Sequence, residues 1–358
     1  MDKTKNLDLI MELSNARGVS GFEDEVLGVI RRHGEGIGEW REDAMRNLYL
    51  SRKGPKGERP LLMLDAHTDE VGFIVRAIRP NGMLDFVALG GWVSTCVPAH
   101  KVLVRNDRGE WIPGIIASKP PHFLSEAEAH KAPEISDMVI DVGASSDREI
   151  REEYHIPIAA PVVPDVSFEY QAAHDIMIGK AFDDRLGCAA VISTFDQLSN
   201  DGLSINVTGA FAVQEEVGLR GAVVTAQTVK PDAAIVFEGC PSDDTVAEPY
   251  AVQAALKKGP MLRHIDSRMI TNPRFQRFAL DTAREKGIPV QEAVRTGGAT
   301  NGGAIHLSGM GVPVIVIAIP VRYIHTHYGI ASYSDFENSV RLASEVIRRL
   351  DEGIITGF

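Results

Sequence analysis

Residues 61–75 read "LLMLDAHTDEVGFIV": an apolar run with the length and composition of a buried strand, ending in Asp65, His67, Asp69 and Glu70. Removing that much charge from water is costly unless each group is paired or ligated. Any fold this chain adopts must therefore supply partners at the end of this one strand. In an extended segment Asp65, His67 and Asp69 project to one side, so a carboxylate is placed to orient the imidazole.

The flanking texture sets the architecture. "LDLIMELSNA" and "SGFEDEVLGVIRRHG" show helical spacing, with Ser20 the expected N-cap of the second helix and Gly34 its stop. After "VGFIVRAI", and up to about residue 164, short β-like runs ("MLDFVAL", "HKVLVRN", "GEWIPGIIA", "DMVIDVG") alternate with turn residues. One short helix is expected there, near "SDREIREEY". The α/β texture then returns. A helix follows Asp183 and Asp184, and "INVTGAFAVQ", "AAIVFEG" and "VPVIVIAIP" read as strands. Two amphipathic helices are expected, one closed by Gly287 and one near the end with Ser334 as its cap. The expected fold is α/β: a central mixed sheet flanked by helices, split by a small β-barrel-like insert. The larger domain takes residues 1–74 and 165–358 and the insert 75–164, since the first segment is too short to fold alone.

The formal charge of −12 argues against nucleic acid or an anionic membrane as the main partner. No stretch approaches the roughly 20 unbroken apolar residues of a spanning helix. The charged, amphipathic start does not read as a signal peptide. Cys96, Cys188 and Cys240 match no zinc or redox spacing, and so few cysteines suit a reducing cytoplasm.

Charge collects again at or just past other predicted strand ends: Asp183 with Asp184, Glu215 with Glu216, Glu238, and His325. Ligands of open α/β sheets bind outside the carboxyl ends of the strands. A shared edge would bring together His67, Asp183, Glu216, Glu238 and His325, two imidazoles and three carboxylates. Carboxylates so close repel unless cations neutralise them. Imidazole with carboxylate suits Zn²⁺ or Co²⁺, and also Mn²⁺, and two such ions about 3.5–4 Å apart would use all five ligands. Adjacent Glu215 and Glu216 both reach one site only where the chain bends, leaving one free to act as a base. A two-carboxylate glycosidase is the rival chemistry, but it leaves both histidines without a role. A deacetylase-like amide hydrolase is the nearer alternative.

The ordered motifs "GVSGFEDEV", "LDAHTDEVGFIV", "GKAFDDRLGCAA", "AVQEEVGLRGA", "GGAIHLSGMGVP" and "IPVRYIHT" resemble the M42 metallo-aminopeptidases, the tetrahedral or glutamyl-aminopeptidase-like group, some of whose members carry an endoglucanase label. The resemblance implies hydrolysis of the N-terminal residue of short peptides by metal-activated water. It implies that His67 ligates one metal with Glu238, that Asp183 bridges two, and that Glu216 and His325 complete the other shell. Glu215 would be the general base, Asp69 would orient His67, and the Asp183–Asp184 peptide would be cis. The insert would join subunits of a dimer-based homo-oligomer, up to a dodecamer. Three departures stand out: Glu238 where Asp is usual, Thr300-Asn301-Gly302 with a lost carboxylate, and the run Thr326 to Gly329 after His325. They are expected to cluster where a substrate side chain sits. Lys257, Lys258 and Arg263 are candidates for selecting an acidic first residue.

Overall fold

A computed structural model describes residues 2–52, 59–126 and 130–358. Four strands, Asn206–Ala212, Leu61–His67, Ala233–Pro241 and Val314–Arg322, lie side by side and parallel. They are near-continuous apolar runs because helices cover both faces. Leu9 and Leu13 of the helix Lys3–Asn15, Leu186 and Phe195 of Phe182–Gln197, and Phe336 and Val340 of Tyr333–Arg349 pack with Leu62 and Leu64. On the other face Ala226 and Ile305 pack with Met63, Val236 and Val316.

Antiparallel strands extend both flanks and make the sheet mixed. Leu48–Arg52 and Gly38–Glu42 lie beside Asn206–Ala212; Gly329–Ser332, Ile176–Gly179 and Glu169–Gln171 lie beyond Val314–Arg322. Two reversals of direction bring Ile176–Gly179 back parallel to the central strands. Its C-terminal end therefore opens on the same edge as theirs. The hairpin Gly38–Glu42/Leu48–Arg52 lacks a long apolar run, and periodicity alone does not reveal it.

Six antiparallel strands close into a barrel, in the order Gly72–Ile78, Leu84–Leu89, Val139–Asp141, Trp111–Ala117, Lys101–Arg105 and Pro161–Pro164. Phe73, Phe86, Val104, Ile116, Ile140 and Val162 fill it. The short helix Asp147–Glu152 accompanies it, its first turn held by the Ser146 hydroxyl, which accepts from the Glu149 amide.

Two expected caps are corrected. The second helix starts at Asp24, with Glu23 at its N-cap, and the Ser20 hydroxyl instead donates to Asp69 Oδ2 at 2.6 Å. A buried carboxylate outcompetes the local capping bond, because leaving it unpaired would cost more. The last long helix begins at Tyr333 with Ser332 at its N-cap, and the Ser334 amide donates to Asp175 Oδ2. No helix among the described residues is long and apolar enough to cross a membrane.

Candidate metal centre

Strand register places the first residues of the site. Ala212 pairs with His67, so Glu215 and Glu216 lie just beyond the level of the imidazole. Val236 pairs with Asp65, which sets Glu238 level with His67 on the neighbouring strand. Asp183 opens the helix after Ile176–Gly179, and His325 follows Val314–Arg322 by three residues. Four non-glycine residues at these turns have positive φ: Ala181 (56°), Gln214 (55°), Tyr323 (63°) and His325 itself (59°). Such conformations cost about 1–3 kcal/mol each and persist where surrounding contacts over-determine them. The one at Gln214 supplies the bend that turns both glutamates toward one site. The Asp183–Asp184 peptide is cis, as the motif implied.

The Asp183 carboxylate lies between the two imidazoles. His67 Nε2 is 3.0 Å from its Oδ1, and His325 Nε2 is 3.3 Å from its Oδ2. Glu238 Oε1 is 3.8 Å from His67 Nε2, and Glu216 Oε1 is 3.5 Å from His325 Nε2. Three groups have ligand atoms within 4.8 Å of one another: His67–Asp183–Glu238 and Asp183–Glu216–His325, two trios that share Asp183, and His67–Glu215–Glu216. The structure thus brings together all five predicted ligands. Glu238, despite its extra methylene, reaches the same place as the others.

Asp69 serves both halves of the site. Its Oδ1 is 3.4 Å from His67 Nδ1 and accepts the Glu215 amide at 2.9 Å, while its Oδ2 accepts the Glu216 amide at 3.1 Å. Asp184 faces away from the trios and accepts the His67 and Gly187 amides, tying strand to helix. Glu70 is paired with buried Lys180 and Arg185.

The electrostatics are those of an acidic cavity asking for cations. Burial pushes Glu238 and Glu216 upward, and Asp183 adds to it, to about 7 and about 8. Burial likewise raises Glu215 well above the carboxylate range, reinforced by Glu238 and Glu216. Burial would depress the histidines, but Asp183 and its neighbours outweigh it: His325 rises to about 9 and His67 well above its ordinary value. Asp183, which burial would raise, is held low by hydrogen bonds from both imidazoles. Glu216 Oε1 and Glu238 Oε2 are buried with no hydrogen-bond partner among the described residues. Orphaned carboxyl oxygens in a cluster with imidazole nitrogens fit divalent ions of the transition series.

This protonation has a measurable consequence. Ligands must shed their protons to bind metal, so loading should release protons and affinity should rise from pH 7 to pH 9. Calorimetry in two buffers of different ionisation enthalpy should report at least one proton released per subunit at pH 7. A buffer-independent heat would contradict the charge state described here.

A cleft of about 790 Å³ opens over the site. Its lining also includes Arg263, Arg268 and Arg295, together with Gly297 and Gly298. Arg263 is buried, its Nε lacks a partner among the described residues, and its nearest acid, Asp266, is 3.4 Å away. The barrel contributes Gly91 and Val93; a Cβ on Gly90 would come within 3.1 Å of Glu216, and one on Gly91 within 3.3 Å of His325. A Cβ on Gly239 would collide with the Asp183 Cα at 2.7 Å.

Several sequence expectations are redirected. Lys257 and Lys258 are exposed and do not line the cleft. Neither do Asn301 and residues 326–329. Asn301 is buried and donates to Asp65 Oδ1 at 2.7 Å, a bond that an ionised aspartate there would replace with repulsion. His327 stacks on His100 of the barrel with ring centroids 3.9 Å apart. Arg268 and Arg295 escaped notice because nothing local distinguishes them from solvated arginines. Glu23, also missed, is buried; burial, with Asp69 nearby, pushes it up to about 7.

This fold and site define a peptide hydrolase. The family model "M42 glutamyl aminopeptidase" matches residues 47–342, and the chain belongs to the M42 family. It is 30% identical to the glutamyl aminopeptidase of Lactococcus lactis subsp. cremoris, over 96% of each chain. The crystal structure of a TET aminopeptidase from a marine sediment Thaumarchaeota archaeon is 40% identical, superposes with a TM-score of 0.94 and covers 99% of both chains. The Pyrococcus horikoshii TET1 peptidase, which assembles into a tetrahedron or a large octahedral shell, is 27% identical with a TM-score of 0.86. It is covered in full, against 96% of this chain.

Proposed function

We propose that this chain is a dimetal aminopeptidase that removes acidic N-terminal residues from short peptides. The observation that carries the dimetal reading is the Asp183 carboxylate, which offers one oxygen to each of two histidine–glutamate sets. His67 and Glu238 would hold one divalent ion, Glu216 and His325 the other, and Asp183 both. Zinc or cobalt suits these donors best, with manganese third. Two such ions supply polarisation of the scissile carbonyl and a more acidic water.

The chain's own residues do the remainder. Glu215, which lies beside His67 and Glu216 but outside the two trios that share Asp183, takes the proton of the attacking water and returns it to the departing amine. Its raised pKa suits both halves of that transfer. Asp69 fixes the His67 ring through Nδ1 and the Glu215 backbone through its amide. The arginine wall meets the side chain of the first residue. Ionised donors to a carboxylate give strong, directional bonds, and buried Arg263 has spare capacity. The barrel, read as an insert over residues 75–164, is the surface offered to other subunits of a homo-oligomer.

Aminoacyl-4-nitroanilides test this directly, since they have no C-terminal carboxylate to confuse the arginine contact. The metal-loaded protein should cleave the glutamyl compound faster than the leucyl or lysyl one, and EDTA should abolish all cleavage. Arg263→Gln should lower the glutamyl-to-leucyl ratio of kcat/KM about tenfold or more, the loss of one charge-assisted bond. An unchanged ratio would remove Arg263 from selectivity. Activity that survives complete chelation would remove the metals.

A further inference from the structure

The bend that delivers Glu215 is held by something the metal site does not require. Gln214, Glu215 and Glu216 present three successive backbone N–H groups, and each donates to a buried carboxylate. Glu215 and Glu216 donate to Asp69, whereas Gln214 donates to Glu23 Oε1 at 3.1 Å. The same Glu23 oxygen accepts the Gly21 amide at 2.8 Å, which folds the loop 18–23 onto itself with Gly21 at φ +88°. Ser20 of that loop donates to Asp69 Oδ2 at 2.6 Å. The loop is itself anchored: the Glu70 amide donates to the Gly18 carbonyl at 2.9 Å, and the Gly18 amide donates to Glu70 Oε1 at 3.1 Å. Arg185 also donates to the Gly18 carbonyl at 3.0 Å.

We infer that Glu23 and Ser20 are positioning residues for the general base, acting through Gln214 and Asp69. The inference rests on the reading of Glu215 as that base. A left-handed non-glycine residue is intrinsically unfavourable, and Gln214 keeps that conformation because its N–H is captured on one side while its neighbours are captured on the other. Releasing one capture lets the bend relax toward ordinary backbone and swings Glu215. Glu216, turned inward by the same bend, keeps its amide bond to Asp69 Oδ2 and would have its carboxylate tethered by a bound ion, so the ligand set is expected to hold while the untethered Glu215 carboxylate moves.

The prediction is a fall in kcat without loss of metal. In the metal-loaded protein, Glu23→Ala should lower kcat by up to about 100-fold, the scale expected when a catalytic group is misplaced by an ångström. KM, metal content and the visible spectrum of the cobalt form should stay at parental values. Glu23→Gln keeps a carbonyl oxygen for both amides and should recover most of the turnover. Ser20→Ala should lower kcat in the same direction by a smaller factor, and it provides the test should Glu23→Ala fail to fold. Combining Glu23→Ala with Glu215→Gln separates the two readings. Where Glu215 alone matters, the second substitution should add little to the first.

An equal fall in kcat in the parental and Glu215→Gln backgrounds would overturn the inference, as would parental kcat in both Glu23→Ala and Ser20→Ala. Loss of metal in step with loss of rate would overturn it too, by making the role merely structural. Near-parental activity of Glu215→Gln alone would instead defeat the base assignment.

Discussion

Glu215→Gln is expected to retain metal and to lose turnover by about 100- to 10,000-fold, the range over which a positioned acid–base group contributes. The amide is nearly isosteric, so the cleft, the arginine wall and both ligand trios are left in place. What disappears is the capacity to take a proton. Burial already drives this carboxyl well above its ordinary range, and Glu238 and Glu216 add to it, so the neutral replacement should not strain the fold. Metal analysis beside steady-state kinetics is the check. Turnover within a few-fold of the parent would mean that another group moves the proton.

Glu70→Gln should cost the fold several kcal/mol of stability. Glu70 Oε1 accepts from Lys180 Nζ at 2.5 Å and lies 3.4 Å from Arg185, and all three side chains are at most 2% exposed. Burial drags Lys180 down to about 8 in spite of Glu70. Neutralising Glu70 leaves two cations in the interior with only neutral acceptors, the amide oxygen of the new side chain and backbone carbonyls. Breaking a buried ion pair from one side costs about 3–5 kcal/mol. Urea unfolding should show a loss of that size, and adding Lys180→Met should recover part of it because the uncompensated ammonium is gone. A loss under about 1 kcal/mol would show that water or rearrangement satisfies the cations.

The five proposed ligands could be found in the sequence because each interrupts or follows an apolar strand, and parallel strands bring their ends to one edge. His67 and Glu238 even share a level in the register, which follows from strand pairing alone. The proposed base was legible as one of a pair, since two adjacent glutamates cannot both point inward without a bend. The residues that make the bend were not. Ser20 looks like a helix cap by every local rule, and Glu23 looks like a first-turn acid; their partners lie 49 and 191 residues away. Of the arginine wall, Arg263 was picked out in the sequence, but Arg268 and Arg295 were hidden for the same reason. Arg263, Arg268 and Arg295 converge only after the strands Met261–Ile265 and Gln291–Val294 pair alongside each other. Asn301 shows the opposite error: a difference beside a functional motif read as selectivity, when its amide serves a buried Asp65.

The close approach of Gly90 and Gly91 to Glu216 and His325 makes the barrel a poor candidate for exchange between relatives. A transplanted barrel with ordinary side chains at those two positions would press on Glu216 and His325. Recombination within such a lineage should therefore preserve the paired glycines together with the host's Glu216 and His325, so that barrel and catalytic sheet are inherited as one piece.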